Sequence, residues 1–449
     1  MERLSASEGL VEVVDPGSAS GTGELHLPLA VRVYLRAFSV LWAVAVVMLG
    51  TFRFLFHEPE FYWFPFFKRG IRGTDFSIFT ERFRHLHTSA FFDGPGSPFT
   101  YPAPAALVYA FFLKVPHHQL LFFLAFCLGI YVLAGFLFGR ALFRTKLGTT
   151  SVLAIVLPTL LLAYPELFLL DRGNIEAISW IFTSLGVWAY WRKRWYTAGF
   201  LIGIAAALKL FPFILLALLL SARRYVALLI GAAVMLTTTV LSTLWIGPTY
   251  EIASHGIAMG LDKFRRNYAL VYSRDATGFD HSLFTAFKLP LHGHISAGEL
   301  AAYMAIASVG GLLLYGFRIR KLPRANQVAS LITCMVLLPP VSFEYTLVHL
   351  LIVWAVLVLL AVGWQERSMA TPKGILPSML ALAWLLSTQS YLILPLHNPL
   401  RLDGLVQALV LVFLLATSVT YPWPEREELI NEASSVKSQS YLSDQPSPS

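Results

Sequence analysis

Asp75 is the third residue of the stretch Gly73-Thr-Asp75-Phe-Ser-Ile-Phe-Thr-Glu81-Arg-Phe-Arg84. Apolar residues recur there at Phe76, Phe79 and Phe83, which predicts a short amphipathic helix lying on a membrane surface. Asp75 falls at its N-terminus, and on spacing alone it reads as an N-cap that accepts free backbone N–H groups. Lys209 stands inside an apolar run, Ala206-Ala-Leu-Lys209-Leu-Phe-Pro212, where an ammonium is costly unless paired or hydrated. Arg172, Lys263, Arg265, Arg266 and Arg274 are cations suited to a lipid phosphate or to anionic headgroups. Glu344 and His349 follow the Pro339-Pro340 turn, either lining a cavity or making structural hydrogen bonds. His85/His87 and His292/His294 have i, i+2 spacing without a carboxylate or cysteine cluster, so they predict no metal site; no cofactor is expected, and assistance by a divalent metal is left open.

The elements that hold these residues must be membrane helices. Of 449 residues, 56% are apolar and only 13% charged, roughly half the charge of a soluble domain. Gln119–Gly139, Tyr225–Tyr250, Leu300–Phe317, Tyr345–Gln365, Gly374–Leu400 and Gly404–Pro424 are almost free of charge. A spanning helix needs roughly 20 such residues. The expected fold is an all-α polytopic membrane protein with about ten full transmembrane helices, near residues 37–55, 119–139, 148–168, 175–191, 225–247, 300–317, 325–342, 345–363, 375–395 and 404–422. Two apolar pieces are too short or too interrupted to cross. Ala103–Val115 reads as re-entrant or tilted. Tyr196–Ala222 reads as two half-helices of about 18 Å each, broken at Lys209-Leu-Phe-Pro212.

Basic clusters such as Arg140/Arg144/Lys146, Arg192/Lys193/Arg194 and Arg318/Arg320/Lys321/Arg324 punctuate the chain. Placed in the cytoplasm, they put both termini inside and residues 56–102 and 248–299 outside. Residues 1–28 and 425–449 read as disordered cytoplasmic tails around a membrane domain at 29–424. The first 28 residues lack the basic and apolar pattern of a signal peptide. The +8 net charge follows from this topology, so no nucleic-acid partner is expected. Cys127 and Cys334 fall inside apolar runs and imply no disulfide. The outside connections gather ionisable groups: the aromatic-rich 56–102 loop with Phe61–Phe67, the Glu166–Asn174 turn, the 248–299 loop and the Pro339–Tyr345 turn. An enzyme site at a membrane interface has this form, and so have four ordinary loops.

The order of features resembles the GT-C class of membrane glycosyltransferases, most closely glycosyltransferase family 87. The residues that carry it are Asp75-Phe76 after the first span, a Gly-Pro turn, Phe99-x-Tyr101-Pro102, Gly173-Asn174 and Ala198-Gly199…Gly203…Ala206-Ala-Leu-Lys209-Leu-Phe-Pro212. Ser282-Leu283 and Pro339-Pro-Val-Ser342 complete it, over roughly residues 35–365. The family often has Gly-Gln at Gly173-Asn174, Asn-Gln-Ser-Leu at Asp280-His281-Ser282-Leu283, and Tyr-Pro-Pro at Tyr101-Pro102-Ala103.

The resemblance implies a GT-C-like fold and an inverting transferase in the plasma (inner) membrane. It would move a sugar, mannose first, from a polyprenyl-phosphate donor to a lipid or glycan acceptor at the outer leaflet. Asp75 would be the base that takes the acceptor's proton. Lys209 would meet the donor phosphate or a nearby glutamate. Arg172, Arg265, Arg266, His281, Glu344 and His349 join it as candidates for holding the donor. The rival reading is a transporter or flippase of lipid-linked sugars. Such proteins are often built from repeats, and the halves of this chain show no convincing self-similarity.

Overall fold

Backbone inside a bilayer must satisfy its own hydrogen bonds, so long apolar runs become helices. The computed structural model describes residues 26–55, 73–94, 99–115, 117–271, 280–288, 295–388, 392–394 and 400–424. The aromatic stretch 61–67, the tails 1–25 and 425–449, and Arg274, His292 and His294 lie outside them. Among the described residues, seven helices are long and apolar enough to cross: Leu29–Thr51, Gln119–Leu142, Thr149–Arg172, Tyr225–Ile246, Ala297–Lys321, Glu344–Gln365 and Asp403–Thr420. The chain is an integral membrane protein.

Three of the expected spans are helical but short. Glu176–Trp191, Arg324–Leu337 and Ile375–Leu386 have 16, 14 and 12 residues, or about 24, 21 and 18 Å against a core of about 30 Å. Among the described residues, seven of the ten expected crossings therefore reach full length as single helices. The cause shows in the burial. Every residue from Ala325 to Leu337 is buried, so apolarity there reports a protein environment. Ala297–Lys321 instead exposes Ile306, Val309, Leu312, Leu313 and Phe317.

Ala103–Leu113 forms a helix of 11 residues. The Tyr196–Ala222 region divides as its sequence suggests. Trp195–Leu208 is α-helical, Lys209 turns extended at φ −143° and ψ 128°, and Phe211–Leu215 continues as a 3₁₀ turn into Leu216–Ser221. Pro212 lacks an N–H for the helical ladder and restricts the residue before it. The first half-helix is seated by small residues. A Cβ on Gly203 would lie 2.4 Å from the carbonyl oxygen of Gly231, so the two helices approach at backbone distance.

Two local readings change. The helix expected on the membrane after Asp75 is two single turns, Thr74–Ser77 and Thr80–Phe83. Its aromatic face packs inward: Phe76 stacks near Tyr109 and Phe123, Phe79 meets Phe99 and Tyr101, and Phe83 meets Phe91. Arg82 is buried and donates to the carbonyls of Phe91, Phe92 and Gly94, each at 2.8 Å, which ties the loop down. The expected Glu166–Asn174 turn is mostly helix. Tyr164–Arg172 is helical with Glu166 buried, and only Gly173 and Asn174 turn.

Candidate active site

Two glycines bring Asp75 to its partners. Gly73, at φ 66°, is the residue before the Thr74–Ser77 turn, and Gly173, at φ 64°, ends the Tyr164–Arg172 helix. A Cβ on Gly173 would stand 3.3 Å from the Gly73 Cα and 3.1 Å from the Phe76 Cβ. Left-handed backbone is cheap only for glycine, and here the missing side chain also allows the contact. The Gly73 N–H donates to the Asp171 carbonyl at 2.6 Å. One loop is therefore clamped to the end of one helix.

The clamp places Asp75 between two donors. Arg172 Nη2 donates to Asp75 Oδ1 at 2.5 Å, and Asn174 Nδ2 donates to Oδ2 at 2.6 Å. Asp75 is therefore not the N-cap that spacing suggested. Gly73 occupies that position, with no side-chain capping bond. Asn174 also donates to the Tyr101 hydroxyl at 3.0 Å and accepts the Glu176 N–H at 3.0 Å. That second bond starts the Glu176–Trp191 helix and fixes which side of the amide faces Asp75.

A second group lies behind Tyr101. The Lys209 ammonium sits 4.5 Å above the Tyr101 ring and 5.4 Å from the Tyr345 ring, each a cation–π distance. It pairs with Glu176 Oε2 at 3.3 Å, while His349 Nε2 meets Glu176 Oε1 at 2.8 Å. Exposure separates front from back. The side chains of Asp75, Arg172 and Lys209 keep 12%, 24% and 10% of their surface, and those of Glu176 and His349 keep none. A substrate can touch the first three, while the last two act through Lys209.

A carboxylate has about four lone-pair positions, and Arg172 and Asn174 occupy two of those on Asp75. It can still accept a hydroxyl proton. Arg172, bonded to Asp75, and Lys209, behind Tyr101, each keep some exposed surface and suit a phosphate, one as a planar fork and one as a point charge.

The other candidates lie apart. Glu344 is buried and accepts the Tyr164 hydroxyl at 3.0 Å. Asp403 and Arg401, an ion pair, share its surroundings. Its neighbour Tyr345 is the residue that reaches Lys209. His281 is fully buried against Ser342 and Thr346, at 3.0 and 3.2 Å. Burial pushes its imidazole down to about 3, which favours the neutral, hydrogen-bonding form. Asp280, beside it, is held by Lys288 at 3.0 Å and by the Ser282 and Ser342 N–H groups; this joins the 280–288 segment to the Pro339–Tyr345 turn. Arg265 and Arg266 both pair with Asp262 at the exposed end of the helix Tyr250–Phe264.

Asn174 and Glu176 are members of this candidate site to which sequence reasoning gave no role. Asn174 stood in a motif without a role. Glu176 reads as the ordinary first-turn acid of a helix, and its only signal was the unpaired Lys209 elsewhere in the chain.

Residues 99–342 match glycosyltransferase family 87. Arg172, Asn174, Glu176, Lys209, Arg265, Arg266 and His281 fall inside this segment; Asp75 precedes it, and Glu344 and His349 follow it. The chain is also similar to a Mycobacterium tuberculosis protein named polyprenol-phosphate-mannose-dependent alpha-(1-2)-phosphatidylinositol pentamannoside mannosyltransferase. They are 28% identical over 340 residues, 73% of each chain. No solved structure matches. The family match extends over more than half of the chain and includes Arg172 and Asn174, which hold Asp75: this membrane protein belongs to glycosyltransferase family 87.

Proposed function

We propose that the chain is an inverting mannosyltransferase that uses a polyprenyl-phosphate mannose donor and a lipid or glycan acceptor at the outer leaflet, with Asp75 as its base. The observation that carries this is the Asp75 carboxylate held by Arg172 and Asn174 with part of its surface open. The acceptor hydroxyl oxygen attacks the anomeric carbon and its proton passes to Asp75. The bond from that carbon to the phosphate oxygen breaks, and polyprenyl phosphate leaves with the electron pair. Phosphate needs little protonation to leave, so one carboxylate suffices. Arg172 and Lys209 balance the charge that develops on it. The mannose donor is supported by the named mycobacterial relative. Membership of a transferase family does not favour the flippase reading.

The test is transfer by the purified full chain in vesicles, offered polyprenyl-phosphate mannose, polyprenyl-phosphate glucose or nucleotide-linked mannose, with a phosphatidylinositol mannoside as acceptor. Transfer from the first alone is expected, with inversion at the anomeric carbon. Transfer from the nucleotide sugar, or retention of configuration, overturns the proposal.

Sidedness has its own prediction. Glu251→Cys and Arg194→Cys place single thiols on exposed positions, against a low background because Cys127 and Cys334 are buried. In intact cells an impermeant thiol reagent should label position 251 and spare position 194. The reverse pattern would put the site in the cytoplasm.

A further inference from the structure

At the far end of the Glu176–Trp191 helix from Glu176, about 24 Å away by helix rise, a cavity of about 380 Å³ opens between helix ends. Its walls include Tyr190, Trp195, Ser221 and Gln327, with the cations Lys193, Arg224 and Arg324. No carboxylate lines it among the described residues. We propose that this cavity binds the headgroup of an anionic phospholipid, at a site separate from the transferase centre.

Four observations lead there. Topology requires basic residues in the cytoplasmic loops, but it does not require cations from three separate connections to converge on one hollow. Basic pockets between membrane helices suit phosphate-bearing headgroups. The neighbours of the lining residues are exposed large hydrophobic side chains: Tyr196 is 63% exposed, Tyr225 57% and Val226 60%. A ligand with acyl chains would lay them on that surface, which a soluble phosphate cannot use. The aromatic wall is also engaged, because the Arg224 guanidinium lies 5.1 Å over the Trp195 ring. A choline headgroup would have to displace that cation, whereas an anion meets it. Gln327 is 6% exposed, and its amide oxygen accepts no hydrogen bond in the chain. That leaves an acceptor for a headgroup hydroxyl, as in phosphatidylglycerol or phosphatidylinositol.

The experiment is native mass spectrometry of the purified full chain, titrated with phosphatidylglycerol in a phosphatidylcholine background. One saturable phosphatidylglycerol is expected on the wild type and on Arg140→Gln, an exposed cation of the same loop face outside the cavity. Arg224→Gln/Arg324→Gln should weaken it about 25-fold, at about fivefold per cation near a charged headgroup. Equal losses in the double variant and in Arg140→Gln would mean a diffuse surface field and overturn the proposal. So would an unchanged double variant. Displacement of the lipid by inorganic phosphate at matched concentration would make it a free-anion site and overturn the lipid assignment. If the double variant does not fold, Lys193→Gln, on an exposed turn, decides the matter by the same fivefold criterion.

Discussion

Asp75→Asn is expected to lower the rate of sugar transfer by roughly two to four orders of magnitude, the usual contribution of a positioned base. The substitution keeps the shape of the side chain. Its amide oxygen can still accept from Arg172, which bonds Oδ1 at 2.5 Å. Its new NH₂ group would face the Asn174 amide that now donates to Oδ2 at 2.6 Å, so one pair becomes donor against donor. That costs about 1–3 kcal/mol at most, and less here because Asp75 is partly exposed. The variant should therefore fold, bind donor and fail in turnover. Folded yield and donor KM are measured beside kcat to separate these effects. Asp93→Asn is the control, since it shares the loop, is exposed, and lies next to the carbonyls that hold Arg82. It should transfer sugar at nearly the wild-type rate. If Asp93→Asn abolishes transfer and Asp75→Asn does not, the base has been assigned to the wrong aspartate. If neither changes it, the transferase mechanism written here is wrong.

Much of the membrane architecture was legible because lipid demands long apolar helices, and Gln119–Leu142 or Tyr225–Ile246 can hardly be read otherwise. What failed was the distinction between apolar because lipid-facing and apolar because buried in protein. Arg324–Leu337 looks the same in sequence as a crossing, yet it is a short helix enclosed on all sides. The break at Lys209 was legible from Pro212 and from the cost of a cation in an apolar run. The partner of Lys209 was not, because Glu176 is 33 positions away and carries no local sign of the pairing. Asp75 shows the same limit. An acid at the start of a turn reads as a cap from its neighbours alone. Its partners come from the end of another helix, and only the Gly73–Gly173 contact discloses them.

Lys209→Met is expected to do two separable things. Glu176 is fully buried and holds Lys209 at 3.3 Å and His349 at 2.8 Å. Removing one partner of a buried ion pair typically costs about 3–5 kcal/mol, because the other charge stays behind. The remaining contact with His349 moderates that loss. Thermal unfolding should show this destabilisation for Lys209→Met, and a milder one for Lys209→Met/Glu176→Gln, in which neither charge is left. Donor use should not follow the same order. If Lys209 also meets the donor phosphate, both variants lose a charge-assisted hydrogen bond worth about 1.5–3 kcal/mol, or about 10- to 150-fold in kcat/KM for the donor. Lys209→Arg keeps the charge but replaces a compact ammonium with a planar fork, so it should retain part of the activity. The double variant is the decisive measurement. Recovered stability with transfer still depressed gives Lys209 a direct part in holding the donor. Recovery of both would make Lys209 the counter-ion of Glu176 and nothing more, leaving Arg172 as the phosphate's partner beside Asp75.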